Sequence, residues 1–422
     1  MCRSAYDPIG FRTELPLSTV ARQHALPFTL DSGGRCMTDS TDRLLAQASE
    51  LSGGLSDFGD PSFRDGLEVF LDSAANEGHL TDIGIAAAEG MAVGNLVNRL
   101  AVVEWHRTHP ELAESKIEAP IFLIGLPRTG TTALSHLLSV DPANRSLLGW
   151  EINQSVPPPT AATYRTDSRF VAAMEAPDML GMLNPEFKSI HHDPPDMPLE
   201  CATVLGQHFS SLHLSTTFNL PSYMDWVRAN DHTAAYEWHR DVLQVLQSEC
   251  PGRWQLKSPV HLIDPTALAE VYPDARFVLT HRDPVNVIAS VCSLVRSLAG
   301  TFTDADWQNY IREVWPDVIA SLLDNQNAFR DSQIELGRSE AFVDVAYSDL
   351  VNDPITTVAS IYEQLGEEFT AEAEAAMRAH SAEHTKGRFG THSYSLEDWG
   401  LDRDALTDRV QPYLTRYAEF LE

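Results

Sequence analysis

Directly after the apolar run Ile121–Ile124, the chain reads Gly125-Leu-Pro-Arg-Thr-Gly-Thr-Thr132. Glycines allow a tight turn that aims successive backbone N–H groups at an anion, and a following helix adds its partial positive end. The spacing matches a Walker A loop, GxxxxGK[ST], except that Thr131 stands where the lysine belongs. That lysine neutralises the β- and γ-phosphates of a nucleoside triphosphate, so its loss argues against an ATPase or kinase. Arg128 supplies a cation inside the loop instead. The loop therefore suits a phosphate or phosphosulfate group. Alone, it also fits an ordinary strand–helix turn.

Elements must hold such a loop in place. Pro120–Gly125 reads as a short strand buried on both faces, and Thr131–Val140 as the helix after it. A second buried strand is expected at Ala275–Thr280. It leads to a helix capped by Asp283, with Pro284 in its first turn and an apolar stripe of Ile288, Val291, Cys292, Val295 and Leu298. Ala341–Val345 is a third strand candidate. Strands alternating with helices predict an α/β fold, a P-loop-like parallel sheet flanked by helices. Residues 1–115 read as a helical N-terminal extension. One helix is expected from Asp60-Pro61 to Gly78, and another from Thr81 towards His106. The tail from about Thr356 is again helical, with a polar loop at His380–Trp399.

Pro127-Arg128-Thr129-Gly130-Thr131-Thr132 resembles the 5′-phosphosulfate loop of the sulfotransferase family. Thr280-His281-Arg282-Asp283-Pro284, with Ser290 eight residues after Arg282, resembles that family's 3′-phosphate motif. A bidentate guanidinium suits a dianionic phosphate, and a hydroxyl two turns along can reach the same group. Trp254–His261 resembles a family segment between the two motifs, and Lys386-Gly387-Arg388 the late basic loop over the 3′-phosphate. The match is closest to bacterial members with a helical N-terminal extension. It implies 3′-phosphoadenosine-5′-phosphosulfate as co-substrate, no metal, and a small-molecule hydroxyl acceptor. The catalytic domain would then span 116–422, with a helical insertion at 150–250.

Sulfuryl transfer needs cations on the bridging oxygen and a base beside the acceptor hydroxyl. Arg128 and Lys257 are expected in the first role. Cytosolic sulfotransferases place a base His just after the Lys of the middle segment. Here Pro259 holds that position, and His261 lies two residues later. Tyrosylprotein sulfotransferases use a Glu about twenty residues after the loop, which points to Glu151 as first candidate. The Pro-rich stretch His191–Glu200 adds His192 and Glu200. With Phe209, Phe218, Tyr223 and Trp226 nearby, it reads as an acceptor-pocket lid, although the aromatics equally suit a core.

Of 422 residues, 60 are acidic and 30 basic, a formal charge of −30, and only four of the basic residues are Lys. Such a surface repels nucleic acids and anionic membranes, so neither is an expected partner. No apolar run is long enough to span a bilayer and the N-terminus does not read as a secretory signal, so the expected location is cytoplasmic. Five scattered Cys suggest neither a disulfide framework nor zinc. The rival readings are a P-loop-like kinase or nucleotidase and a non-catalytic nucleotide-binding protein of the same fold. The sequence leaves the oligomeric state open.

Overall fold

The computed structural model describes residues 37–187, 194–383 and 395–421. The described residues form one compact unit. The first described elements are α1 (Met37–Leu51), α2 (Phe63–Asn76) and α3 (Asp82–Thr108). Helix α2 starts two residues later than Pro61, because the Asp60 carboxylate accepts the Ser62 backbone N–H at 2.9 Å and closes a turn first. Helix α3 starts as expected at Thr81, whose hydroxyl accepts the Gly84 N–H at 3.1 Å.

The sheet begins with β1 (Ile121–Ile124), which leads through the glycine loop to α4 (Thr131–Ser139). Next come β2 (Asn144–Arg145), α5 (Gly149–Ile152), α6 (Leu212–Phe218) and β3 (Arg253–Lys257). The second half holds β4 (Arg276–His281), α7 (Pro284–Ala299), α8 (Gln308–Glu335), β5 (Phe342–Ala346), α9 (Pro354–Leu365) and α10 (Ala371–Glu383). All strand pairs are parallel, in the order β2-β3-β1-β4-β5. Asp283 caps α7 by accepting the Val285 N–H at 2.9 Å.

Alternation along β1 builds a core on each side. Ile121 and Leu123 face α4, α9 and α10 through Leu134, Val358 and Met377. Phe122 and Ile124 face the larger core, which includes Leu96 and Leu100 of α3 and Val291 and Val295 of α7. Phe209, Phe218 and Tyr223 are wholly buried in that larger core, which corrects the lid reading for these three rings. Their apolar area is covered by Phe63 and Phe70 of α2 instead. Among the described residues, no helix is long and apolar enough to cross a membrane.

Because every strand is parallel, β1, β3, β4 and β5 end on the same edge. From β1 the sheet grows toward β3 on one side and β4 on the other, and ligands of such sheets settle at that divergence.

Candidate active site

Four segments meet at this edge. The loop after β1 turns at Gly130, whose φ of +92° favours glycine. A Cβ at Gly125 would lie 2.3 Å from Thr280 Oγ1, so the loop packs directly on β4. Arg128 holds a φ of +69°, a left-handed conformation costing a non-glycine residue about 1 kcal/mol. Its side chain is exposed and lines a cavity of ≈ 1240 Å³ together with Gly130, Thr131 and Thr132. Thr129 turns its hydroxyl away, donating to Leu126 O at 2.7 Å and meeting Thr280 Oγ1 at 2.7 Å. Its side chain braces the loop rather than facing the cavity.

Arg282, just past β4, reaches back to the loop and donates from Nη1 to the Arg128 carbonyl at 2.8 Å. Its guanidinium stacks 4.5 Å from the ring centre of Tyr347, the residue after β5. Two basic residues 154 apart in sequence thus share one floor. Ser290 is buried on α7 and does not line the cavity, although its neighbour Val291 does. Lys386, Gly387 and Arg388 lie outside the described residues, as does His192.

Lys257 ends β3, level with Leu123 of β1. Its ammonium is nearly inaccessible and is held by two partners, Glu200 Oε1 at 2.8 Å and Thr132 Oγ1 at 3.3 Å. Glu200 also accepts from Ser258 Oγ at 3.2 Å, and its side chain keeps 23% exposure into the cavity. A carboxylate, an ammonium and the phosphate loop therefore form one connected chain of polar contacts.

Glu151 is not in this group, which corrects the first choice of base. It is fully buried on α5 and absent from the cavity wall. Its carboxylate takes both Arg145 amino groups, at 2.8 and 2.6 Å, the Leu148 N–H at 3.0 Å and the Tyr164 hydroxyl at 3.2 Å. Burial opposes the Arg145 charge, yet Glu151 outweighs it and raises the guanidinium's pKa. Four donors already hold the carboxylate, and its burial away from the cavity keeps a substrate proton out of reach.

His261 is corrected likewise. It is buried behind β1 among Phe122, Tyr236 and His239, with Nδ1 2.9 Å from the Tyr236 hydroxyl. Burial, followed by His239, pushes its pKa well below the ordinary value. It does not line the cavity, whereas the preceding Val260 does.

Three kinds of cavity residue had no sequence signal. His213 at the start of α6 and His136 on α4 have no characteristic spacing from the loop. Tyr347 follows an unremarkable strand. Ile83, Ala87 and Met91 come from α3, in the segment expected to be an N-terminal extension.

A glycine loop at the divergence of a parallel sheet, without the triphosphate-neutralising lysine, places the chain among P-loop-like α/β proteins with an anion-binding turn. A family model described as "Sulfotransferase family" matches residues 120–371, and the chain belongs to that family. It is an enzyme of sulfuryl transfer with the sulfotransferase fold. The crystal structure of sulfotransferase STF9 from Mycobacterium avium is similar at 31% identity and TM-score 0.79, covering 90% of this chain and 97% of that one. Sulfotransferase STF1 from Mycobacterium tuberculosis H37Rv gives 33% and 0.77, covering 88% and 98%. Omega-hydroxy-beta-dihydromenaquinone-9 sulfotransferase Stf3 of Mycobacterium bovis is 27% identical over 312 residues, 69% of this chain and 76% of the relative.

Proposed function

We propose that the enzyme moves the sulfuryl group of 3′-phosphoadenosine-5′-phosphosulfate to a small-molecule hydroxyl, with Glu200 as base. The carrying observation is the meeting of Arg282 with Arg128 at the mouth of the loop, beside the Lys257–Glu200 pair. Gly125 and Gly130 pack so closely on Thr280 and Leu350 that the loop is held in place, which supports backbone N–H groups arranged in advance for a phosphosulfate. Arg282 would hold the 3′-phosphate, with the Lys386–Arg388 loop as a further contact.

Glu200 accepts the acceptor's proton as the new O–S bond forms. The bridging S–O bond breaks, and its electron pair stays on the 5′-phosphate of adenosine 3′,5′-bisphosphate. Arg128, on the cavity wall, stabilises that developing charge, and the buried Lys257 adds its field from behind Thr132. Proton uptake by Glu200 loosens its hold on Lys257 at the moment the leaving oxygen needs a cation. The hydroxyl class of acceptor agrees with Stf3, whose named substrate bears an omega-hydroxyl. A cytoplasmic location and a metal-free reaction belong to the same proposal.

Calorimetric titration with adenosine 3′,5′-bisphosphate, adenosine monophosphate and ATP tests the donor site. The bisphosphate is expected to bind best, and Arg282→Ala to erase its advantage over the monophosphate. Preference for ATP would overturn the reading.

A further inference from the structure

At ≈ 1240 Å³ the cavity exceeds the roughly 300–1,000 Å³ usual for one small ligand, and the donor and acceptor would share it. Its charged groups gather at the sheet edge, at Arg128, Glu200 and Arg282. Much of the remaining wall is hydrocarbon, with Ala87 and Met91 of α3, Leu298 of α7, Phe302, and Ile319 and Leu322 of α8. The apolar character continues onto the surface. Ile83, Met179 and Leu183 line the cavity yet stay 54%, 57% and 43% exposed, and Met182 beside them is 68% exposed.

We infer that this chamber takes the apolar body of the acceptor, an elongated, uncharged, lipid-like alcohol whose terminal hydroxyl reaches Glu200. The inference rests on the sulfuryl-transfer reading above. Exposed apolar groups continuous with an internal chamber mark a binding surface rather than a folding remnant. A sugar or peptide laid along Leu298, Phe302 and Ile319 would leave its polar groups without partners, a penalty that a hydrocarbon escapes. Unbranched, polarisable Met91 and Met179 adapt to a chain that bends. The formal charge of −30 opposes an anionic acceptor and leaves a neutral alcohol unaffected.

Trp315 of α8 lines the same chamber and provides a reporter that does not depend on turnover. The full chain, saturated with adenosine 3′,5′-bisphosphate, is titrated with 11-bromo-1-undecanol or 3-bromo-1-propanol while tryptophan fluorescence is recorded. Each buried methylene adds roughly fourfold in affinity. The long probe is therefore expected to quench at a concentration at least about a hundredfold lower. Trp315→Phe should remove most of that quenching.

Ala86→Trp and Ala87→Trp should weaken the long probe about tenfold or more by filling chamber volume, and leave bisphosphate affinity unchanged. Ala86 is exposed, so that variant is not expected to disturb folding. Equal affinity for the two probes would overturn the inference. So would quenching that survives Trp315→Phe, or indifference to both alanine variants. Failure of the wild type to bind the bisphosphate would instead overturn the donor reading, so the two failures are distinguishable.

Discussion

Replacing Glu151 and Glu200 separately by Gln should separate structural from catalytic damage. Glu151 forms a two-pronged pair with Arg145, and the two side chains are 0% and 4% exposed. Gln keeps the volume and one acceptor, but turns an amide N–H₂ toward an Arg145 amino group. The guanidinium stays charged and buried, stacked 4.8 Å from the ring centres of Tyr164 and Trp254. Leaving such a charge without its partner costs about 3–5 kcal/mol. Against a total stability of about 5–15 kcal/mol, that is a fifth of the fold or more.

Glu200 is a quarter exposed, and Lys257 keeps Thr132 and gains a neutral amide when Glu200 becomes Gln. Because the Lys257 ammonium is itself only 1% exposed, weakening its pair also costs stability, about 1–3 kcal/mol, while turnover per folded molecule falls about 10²–10⁴-fold through loss of the base. Urea unfolding followed by tryptophan fluorescence reads the first effect, and turnover per folded molecule reads the second. A Glu151→Gln protein as stable as wild type but a hundredfold slower would refute this assignment. So would a Glu200→Gln enzyme with full activity.

Arg128→Gly should relieve the left-handed strain and raise stability by about 1 kcal/mol in thermal unfolding, while weakening binding of the phosphosulfate donor. Unchanged donor affinity would remove Arg128 from the site. Gly125→Ala should cost about 1–3 kcal/mol, because its Cβ meets Thr280 Oγ1 at 2.3 Å and the Thr280 carbonyl at 2.9 Å. A denaturant midpoint equal to wild type would contradict the close packing of the loop on β4. Burial pushes the pKa of His239 and of His208 down to about 3. The unfolded chain binds a proton at each below about pH 6.5 and the folded chain does not, so stability is present above that pH and falls as pH falls. Each should cost about 2 kcal/mol at pH 5, and His239→Phe should flatten the slope below pH 6.5 by about 1.4 kcal/mol per unit. An unchanged slope would show that His239 takes up its proton without unfolding.

Much of the architecture was legible because local chemistry announces it. A four-residue apolar run between Pro120 and Gly125 can satisfy its surroundings only as a buried strand, and Asp283-Pro284 can hardly do other than start a helix. Strand β3 was harder to see. Arg253, Gln255 and Lys257 look like surface residues, yet Gln255 is buried because Ser135 supplies its hydrogen bonds, and Lys257 because Glu200 does. Those partners lie more than 50 residues away, so no window of sequence contains the reason.

The site divides in the same way. Glycines, an arginine and hydroxyls in one loop declare an anion site by themselves, since backbone N–H groups and a helix start are assembled by neighbours in the chain. The choice of base is a different kind of fact. Glu151, His261 and Glu200 are equally eligible by residue type, and only the fold decides that two of them are sealed in the core while the third faces the cavity. Desolvation and partners make that decision, and both are properties of what packs around a side chain. The chamber wall from α3 is likewise a tertiary outcome. Ile83, Ala87 and Met91 read in sequence as a helix face, and only the placement of α3 turns that face into the lining of a cavity.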